Sequence, residues 1–302
     1  MPMALAVEPF LPVELEREIF ETAAMRHPKL IPTLLQVCHR VHAWVEPLLY
    51  RVVCINGFYE RLLSAIQSKP PTFLCNSVHY LLFPPGADII KAIENIISGS
   101  ARLISLFVDG PLRPDLLLLL HELRPQRLHL SLLPFNDWPG SPWTRSILNS
   151  PLLSSVTHLE LFMDTSEHTG WEDHWSSLAA LPALTHLCLS EELAEDILRA
   201  VLAECPRLMV AISGFWVSTS PGYIRGFFAG LAVTDPRVVV MVVPDYKRDW
   251  ETGARGGDDF WTRAEAFIAR KRKGEIESSC YFLDESASPV YTTLLLPPTE
   301  CG

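Results

Sequence analysis

The 302-residue chain has no apolar run long enough to span a bilayer. Its longest leucine run, Leu116 to Leu120, is closed by Pro114 and Pro125. A membrane helix needs about 20 apolar residues. The first residues, Met1 to Glu8, lack the basic start and the apolar stretch of a secretory signal. Basic residues are the scarcer charge: 25 Lys and Arg stand against 35 Asp and Glu, for a formal net charge of −10. That sign does not suit phosphate backbones or anionic lipid, so neither nucleic acid nor membrane is expected as a partner. The seven cysteines are odd in number, scattered and free of any C-x-x-C pair. They are expected to be reduced and mostly buried, in cytoplasm or nucleus. The chain also lacks a Walker loop, a Gly-x-Ser-x-Gly elbow, a His-Glu-x-x-His helix and a dinucleotide Gly-x-Gly-x-x-Gly. Residues Pro244 to Gly257 are charged and glycine-rich and read as a loop. No catalytic residue, metal or cofactor is expected.

What is present is ordinary globular chemistry, 48% hydrophobic and 20% charged, which permits a sizeable core. Near the start, Leu11-Pro12-Val13-Glu14-Leu15 opens a helix. Proline suits the first turn, where its missing N–H costs nothing, and the glutamates sit at the positive end of the dipole. Leu11, Leu15, Ile19 and Ala23 recur at four-residue steps and form one apolar stripe. A second helix is expected from Ile31, with Leu34, Val37, Cys38, Val41, Val45 and Leu48 on one side and Leu35 and Trp44 at its flanks. Pro47 should stop or kink it. Helices this short bury too little to stand alone, so they must pack on the body or on a partner.

From residue 78 a strand-like pattern of apolar residues recurs. It appears at Val78–Phe83, Leu103–Val108, Arg127–Leu130, Val156–Leu161, Leu184–Leu189, Leu208–Ala211 and Val238–Val243. Val78 and Leu103 lie 25 positions apart (103 − 78), and Val156 and Leu184 lie 28 apart (184 − 156). Both spacings fit the period of leucine-rich repeats, about 20–29 residues. Helix-like segments alternate with the strands at 88–97, 115–123, 171–181 and 191–205. The helix expected over 258–273 would cap the open end of such an array. Its basic end, Arg270 to Lys273, reads as a cationic terminus matching the helix dipole. The expected fold is therefore α/β: a helical module over 1–56, an irregular leucine-rich-repeat-like solenoid over 57–275, and a loosely ordered tail over 276–302.

The N-terminal pattern resembles a known family. Leu11-Pro12-x-Glu14-Leu15 with Ile19-Phe20, then Leu34-Leu35-x-Val37-Cys38-His39-Arg40-Val41, Trp44 and Leu48-Leu49-Tyr50-Arg51, is similar to the F-box. More narrowly, it resembles the F-box-like proteins expanded in mushroom-forming fungi. The resemblance covers roughly the first sixth of the chain. It implies a substrate-recognition adaptor of a Skp–cullin–F-box ubiquitin ligase, tethering a target protein through the repeat body. The Skp-type adaptor and the cullin scaffold would be its partners, with Leu11, Pro12, Leu15, Ile19, Leu35, Val37, Cys38 and Trp44 at the adaptor contact. The alternative is a protein-binding scaffold of the same fold that acts without a ligase.

Three constellations are tested for chemistry. Cys38, His39 and His42 share one helix but offer no third ligand at a useful spacing, so Cys38 reads as a small core residue. His168, Glu172 and His174 lie in a polar-aromatic cluster that reads as a loop entering a helix. Its Trp171 and His174, with Trp138 and Trp143 upstream, are candidates for target binding, because tryptophan anchors interfaces. Finally, His79, His129, His158 and His186 each fall in a strand copy. They are expected as solvated positions between leucines, or as a ladder along one face with a binding or pH-sensing role.

Overall fold

A computed structural model describes residues 11–55, 60–84, 102–111, 114–131, 147–162, 177–190, 195–215 and 235–283, with shorter described stretches between 86 and 97 and between 219 and 226. The chain enters through α1 (Val13–Arg26), capped by Pro12, with Glu14 and Glu16 in the first turn and Arg26 in the last. This charge order suits the helix dipole. A 3-10 turn (Pro28–Leu30) leads to α2 (Ile31–Leu34), and after a break α3 (His39–Leu49) follows. The single second helix expected from Ile31 is thus divided. Cys38 is fully extended (φ −164°, ψ 169°), and the His42 ring closes the break by donating from Nδ1 to the Leu35 carbonyl at 3.0 Å. The division lets Ile31 and Leu34 share one small core with Val41 and Val45, joined by Phe20, Ala24, Leu35, Trp44 and Leu48. As Pro47 requires, α3 ends within a turn of it. Lys69 ties this module to the body, donating to Glu46 Oε1 at 2.6 Å and lying over the Tyr50 and Phe73 rings.

The body is an α/β arrangement around one nine-stranded sheet. Its strands are β1 (Val52–Cys54), β2 (Tyr80–Phe83), β3 (Ser105–Pro111), β4 (Arg127–Ser131), β5 (His158–Phe162), β6 (His186–Ser190), β7 (Val210–Phe215), β8 (Val238–Val242) and β9 (Phe282–Leu283). All neighbours are parallel and follow chain order. Parallel strands need a crossover between them, which α4 (Glu60–Gln67), α5 (Pro71–Ser77), α6 (Pro114–Leu120) and α7 (Glu195–Glu204) help supply. Register places Leu81, Leu106, Leu128, Leu159 and Leu187 side by side across β2 to β6. This leucine ladder packs on the crossover helices through Ile66, Leu74, Leu116, Leu120, Leu198 and Val201. Each such side chain contributes on the order of 1.5–3 kcal/mol by leaving water.

The second face of the sheet is covered by α8 (Tyr246–Ala254) and α9 (Phe260–Arg272). Leu82, Phe107, Cys188, Ile212, Val239 and Met241 meet Tyr246, Phe260, Trp261, Ala264, Phe267 and Ile268 there. Several expectations change here. The segment read as a loop forms α8, because Tyr246, Trp250 and Ala254 recur at helical spacing and the Asp245 carboxylate caps it by accepting from Arg248 N at 3.0 Å. Its glycines gather at the helix end, where they do no harm. Rather than capping the end of the sheet, α9 lies on its face, since Phe260, Trp261, Phe267 and Ile268 supply more apolar surface than an edge would use. The basic residues do fall in the last turn of α9, but Lys271 among them is buried. Its Nζ donates to the Val238 carbonyl at 3.1 Å and faces the Phe267 and Tyr281 rings, and burial pushes its pKa down to about 8. The tail joins the sheet as β9, and its residues from 284 onward lie outside the described ones. Cys188 and Cys205 are buried, Cys54, Cys75 and Cys280 half-buried, and Cys38 exposed rather than a core residue. Among the described residues no helix is long and apolar enough to cross a membrane.

Candidate functional site

Two features stand out against the closed body. The first is the outer side of the N-terminal module. The stripe that the resemblance puts at the adaptor contact is open on α1: Phe20 and Ala24 enter the small core, while Leu15 is 48% and Ile19 53% exposed. Leu11, Pro12 and Val13 are exposed just before them. Val37 is 53% exposed and Cys38 is open in the α2–α3 break. Arg40, beside that break, pairs with Glu16 on α1 at 2.7 Å, which draws the two exposed groups together. Of the residues expected at an adaptor contact, Leu11, Pro12, Leu15, Ile19, Val37 and Cys38 are therefore open to solvent. Leu35 and Trp44 are half-buried in the module's own core, and Trp44 also lines a groove toward Phe73 and His79 of the body.

The second feature is a polar layer beneath α8 and α9. Ser105, Arg127, His158 and His186 are register partners across β3 to β6, and Phe107, His129, Glu160 and Cys188 form the next row on the same face. The histidines expected as solvated positions are largely enclosed: His129 and His186 are buried and His158 is partly so. Two elements distant in sequence seal them. Asp259, the N-cap of α9, accepts from Thr262 N at 2.9 Å and from Arg127 at 2.6 Å. Trp250 of α8 donates from Nε1 to Ser105 Oγ at 2.8 Å. The His158 and His186 rings stack at 4.0 Å with planes 7° apart, edge-on to Trp261. Burial drives the His158 pKa down to about 2, helped by the His186 and Arg127 charges. His186 falls to about 4, again chiefly through burial. His129 stacks on Phe107 at 3.5 Å, and its Nδ1 lies 2.8 Å from Glu160 Oε2 but off the N–H direction, a close approach rather than a directed hydrogen bond. His79 stands apart, its Nδ1 donating to the Ser77 carbonyl at 2.8 Å.

No protein-family model and no curated protein matches the chain. Trp138, Trp143, Trp171 and His174, expected at a target contact, lie outside the described residues, as do His168 and Glu172. A histidine ladder along one face is one of the two readings of the sequence, and its enclosure is what sequence reasoning missed. The signal of the polar layer was Arg-x-His, His-x-Glu and His-x-Cys at the same place in three successive strand copies. Nothing local linked those pairs to Asp259 and Glu265 on a helix some hundred residues later.

Proposed function

We propose that the protein is a non-enzymatic adaptor: α1 to α3 form an F-box-like module that docks on a Skp-type subunit of a cullin ubiquitin ligase, and a leucine-rich-repeat-like body holds a target protein. The observation that carries this reading is the division of apolar side chains on α1. Phe20 and Ala24 complete the module's own core, and Leu11, Leu15 and Ile19 are left open on the other side. Covering the exposed half of such side chains stabilises a complex by about 1 kcal/mol each, before the costs of association. Support for the repeat reading of the body comes from parallel strands that neighbour one another in chain order and from the leucine ladder they share. Tethering works through effective concentration, so it asks no bond chemistry of this chain. Because α8 and α9 occupy the second face of the sheet, target contacts would fall to surfaces off that face, with Trp138, Trp143, Trp171 and His174, outside the described residues, as candidates.

The test is recovery of Skp and cullin with the tagged full chain. Leu15→Asp and Ile19→Asp should each cut recovery at least tenfold and leave the melting temperature within about 1 °C, because both side chains are half-exposed and leave no cavity. Undiminished recovery in both variants removes the docking assignment. Capture of other proteins with no Skp or cullin favours a ligase-independent scaffold.

A further inference from the structure

His158, His186 and Glu265 bring three potential ligand atoms within 4.8 Å of one another. The two histidines are register partners on β5 and β6, and Glu265 reaches them from α9. A threonine precedes each histidine and fixes its tautomer. Thr157 Oγ1 donates to the Gln126 carbonyl at 3.0 Å and lies 2.9 Å from His158 Nδ1. Thr185 Oγ1 donates to the Thr157 carbonyl at 3.2 Å and lies 2.8 Å from His186 Nδ1. A hydroxyl has one proton to give. With that proton on the carbonyl, each threonine can only accept from the ring. Nδ1 therefore carries the hydrogen, and Nε2 is left as a bare lone pair. His186 Nε2 then meets Glu265 Oε1 at 3.0 Å, acceptor against acceptor, with no hydrogen bond between them. His158 Nε2 is buried and has no hydrogen-bond partner among the described residues. Three potential ligand atoms thus lie close together with no donor proton between them among the described residues, and buried acceptors left so, as both Nε2 atoms are, are costly.

We propose that His158, His186 and Glu265 form a zinc-class metal site that fastens α9 to the sheet. Two imidazoles and a carboxylate are a nitrogen–oxygen set suited to zinc and poorly suited to magnesium or calcium. Two ligands on one tetrahedral zinc sit about 3.4 Å apart, a few tenths of an ångström from the His186–Glu265 approach. The stacked rings share one plane direction, so loading turns one of them. His158 is the ring with room: it borders a cavity of about 20 Å³, enough for about one water. The threonines are outer partners that orient the ligands. Glu265 brings the site its negative charge, and Asp259 pairs with Arg127.

The full chain, stripped with a chelator and titrated with zinc chloride, should take up one equivalent and none of magnesium or calcium. At about 100 times the dissociation constant, zinc should raise the melting temperature by about 5 °C or more. Cobalt substitution should give visible d–d bands without the near-ultraviolet charge transfer of a thiolate, which separates this site from one at Cys38 and His42. Glu265→Gln, on a half-exposed side chain, should leave the metal-free fold intact and weaken zinc at least tenfold. His158→Gln should do likewise. No uptake, a thiolate band, or equal affinity in Glu265→Gln each overturns the proposal.

Discussion

Asp259 connects the helical cover to the sheet, and its replacement by alanine tests whether that connection is structural. The carboxylate does two jobs. Oδ1 caps α9, accepting from the backbone N and the hydroxyl of Thr262, each at 2.9 Å. Oδ2 accepts from Arg127 of β4 at 2.6 Å. Losing an N-cap costs about 1 kcal/mol. The ion pair adds more, because the Asp259 side chain is only 4% exposed, but Arg127 is one-third exposed and recovers part of its hydration from water. A further contribution of roughly 1–2 kcal/mol is reasonable, for a total of about 2–3 kcal/mol. At about 2 °C per kcal/mol for a chain of this size, the melting temperature should fall by roughly 4–6 °C. Asp259→Asn keeps the cap and removes the charge, so it should lose about half as much. The internal control is Asp245→Ala, which removes an exposed cap from α8 and should cost only the capping share. Thermal melts by circular dichroism read all three. If Asp259→Ala melts within about 1 °C of Asp245→Ala, the Arg127 pair holds nothing and the account of the polar layer as a clasp is wrong. An Arg127→Met, Asp259→Ala double-mutant cycle should show coupling of about 1 kcal/mol.

Two further outcomes follow from burial and close approach. Between pH 6.5 and about 4 the unfolded chain protonates His158 and His186 while the folded chain holds them neutral; Asp249, raised to about 6 by burial, takes up a proton in the opposite sense. The balance is about one proton bound on unfolding, so urea stability measured with a chelator should fall by roughly 1.4 kcal/mol per unit of acidification, and a flat profile would mean the rings are solvated. At Gly253 an added Cβ would lie 2.8 Å from Cβ and Cγ of Asp259, so Gly253→Ala should destabilise by about 1–3 kcal/mol. Gly222→Ala, with nothing within 4 Å, should change denaturation midpoints by less than about 0.5 kcal/mol, and equal effects at the two sites would refute the packing argument.

Strands β2 to β8 are legible because each carries two leucine-like residues two apart, and a parallel sheet buried on one face by crossovers demands that spacing. The module's existence is legible from the Leu11–Leu15–Ile19 stripe, but its outward side comes from the F-box resemblance and not from periodicity. A helix with two apolar sides does not declare which one its own chain will use, and Phe20 with Ala24 outcompetes Leu15 with Ile19 for the small core. The break at Cys38 is equally hidden, since Leu34, Val41 and Val45 fit a continuous helix as well as a divided one. Glycine and charge concealed α8, although Tyr246, Trp250 and Ala254 kept helical time. The enclosure of the histidines was out of reach for a different reason. Whether a polar position between leucines is wet depends on what lies over it, and that cover is supplied by residues far along the chain.

The cover also decides how such a body can bind anything. A parallel sheet with one bare face would offer that face to a partner. Here Phe260, Trp261, Phe267 and Ile268 fill it, and by transfer energies of about 1.5–3 kcal/mol each they contribute roughly 6–12 kcal/mol. That is comparable with the whole stability of an ordinary domain, about 5–15 kcal/mol. The Arg127–Asp259 pair and the Trp250–Ser105 hydrogen bond add to it. A partner that displaced α9 to reach the sheet would first have to match this sum, which leaves little affinity over. The helices therefore act as a fixed lining, and under the proposed function recognition would fall to surfaces off that face, among them the open side of α1, which no described residue of the body covers.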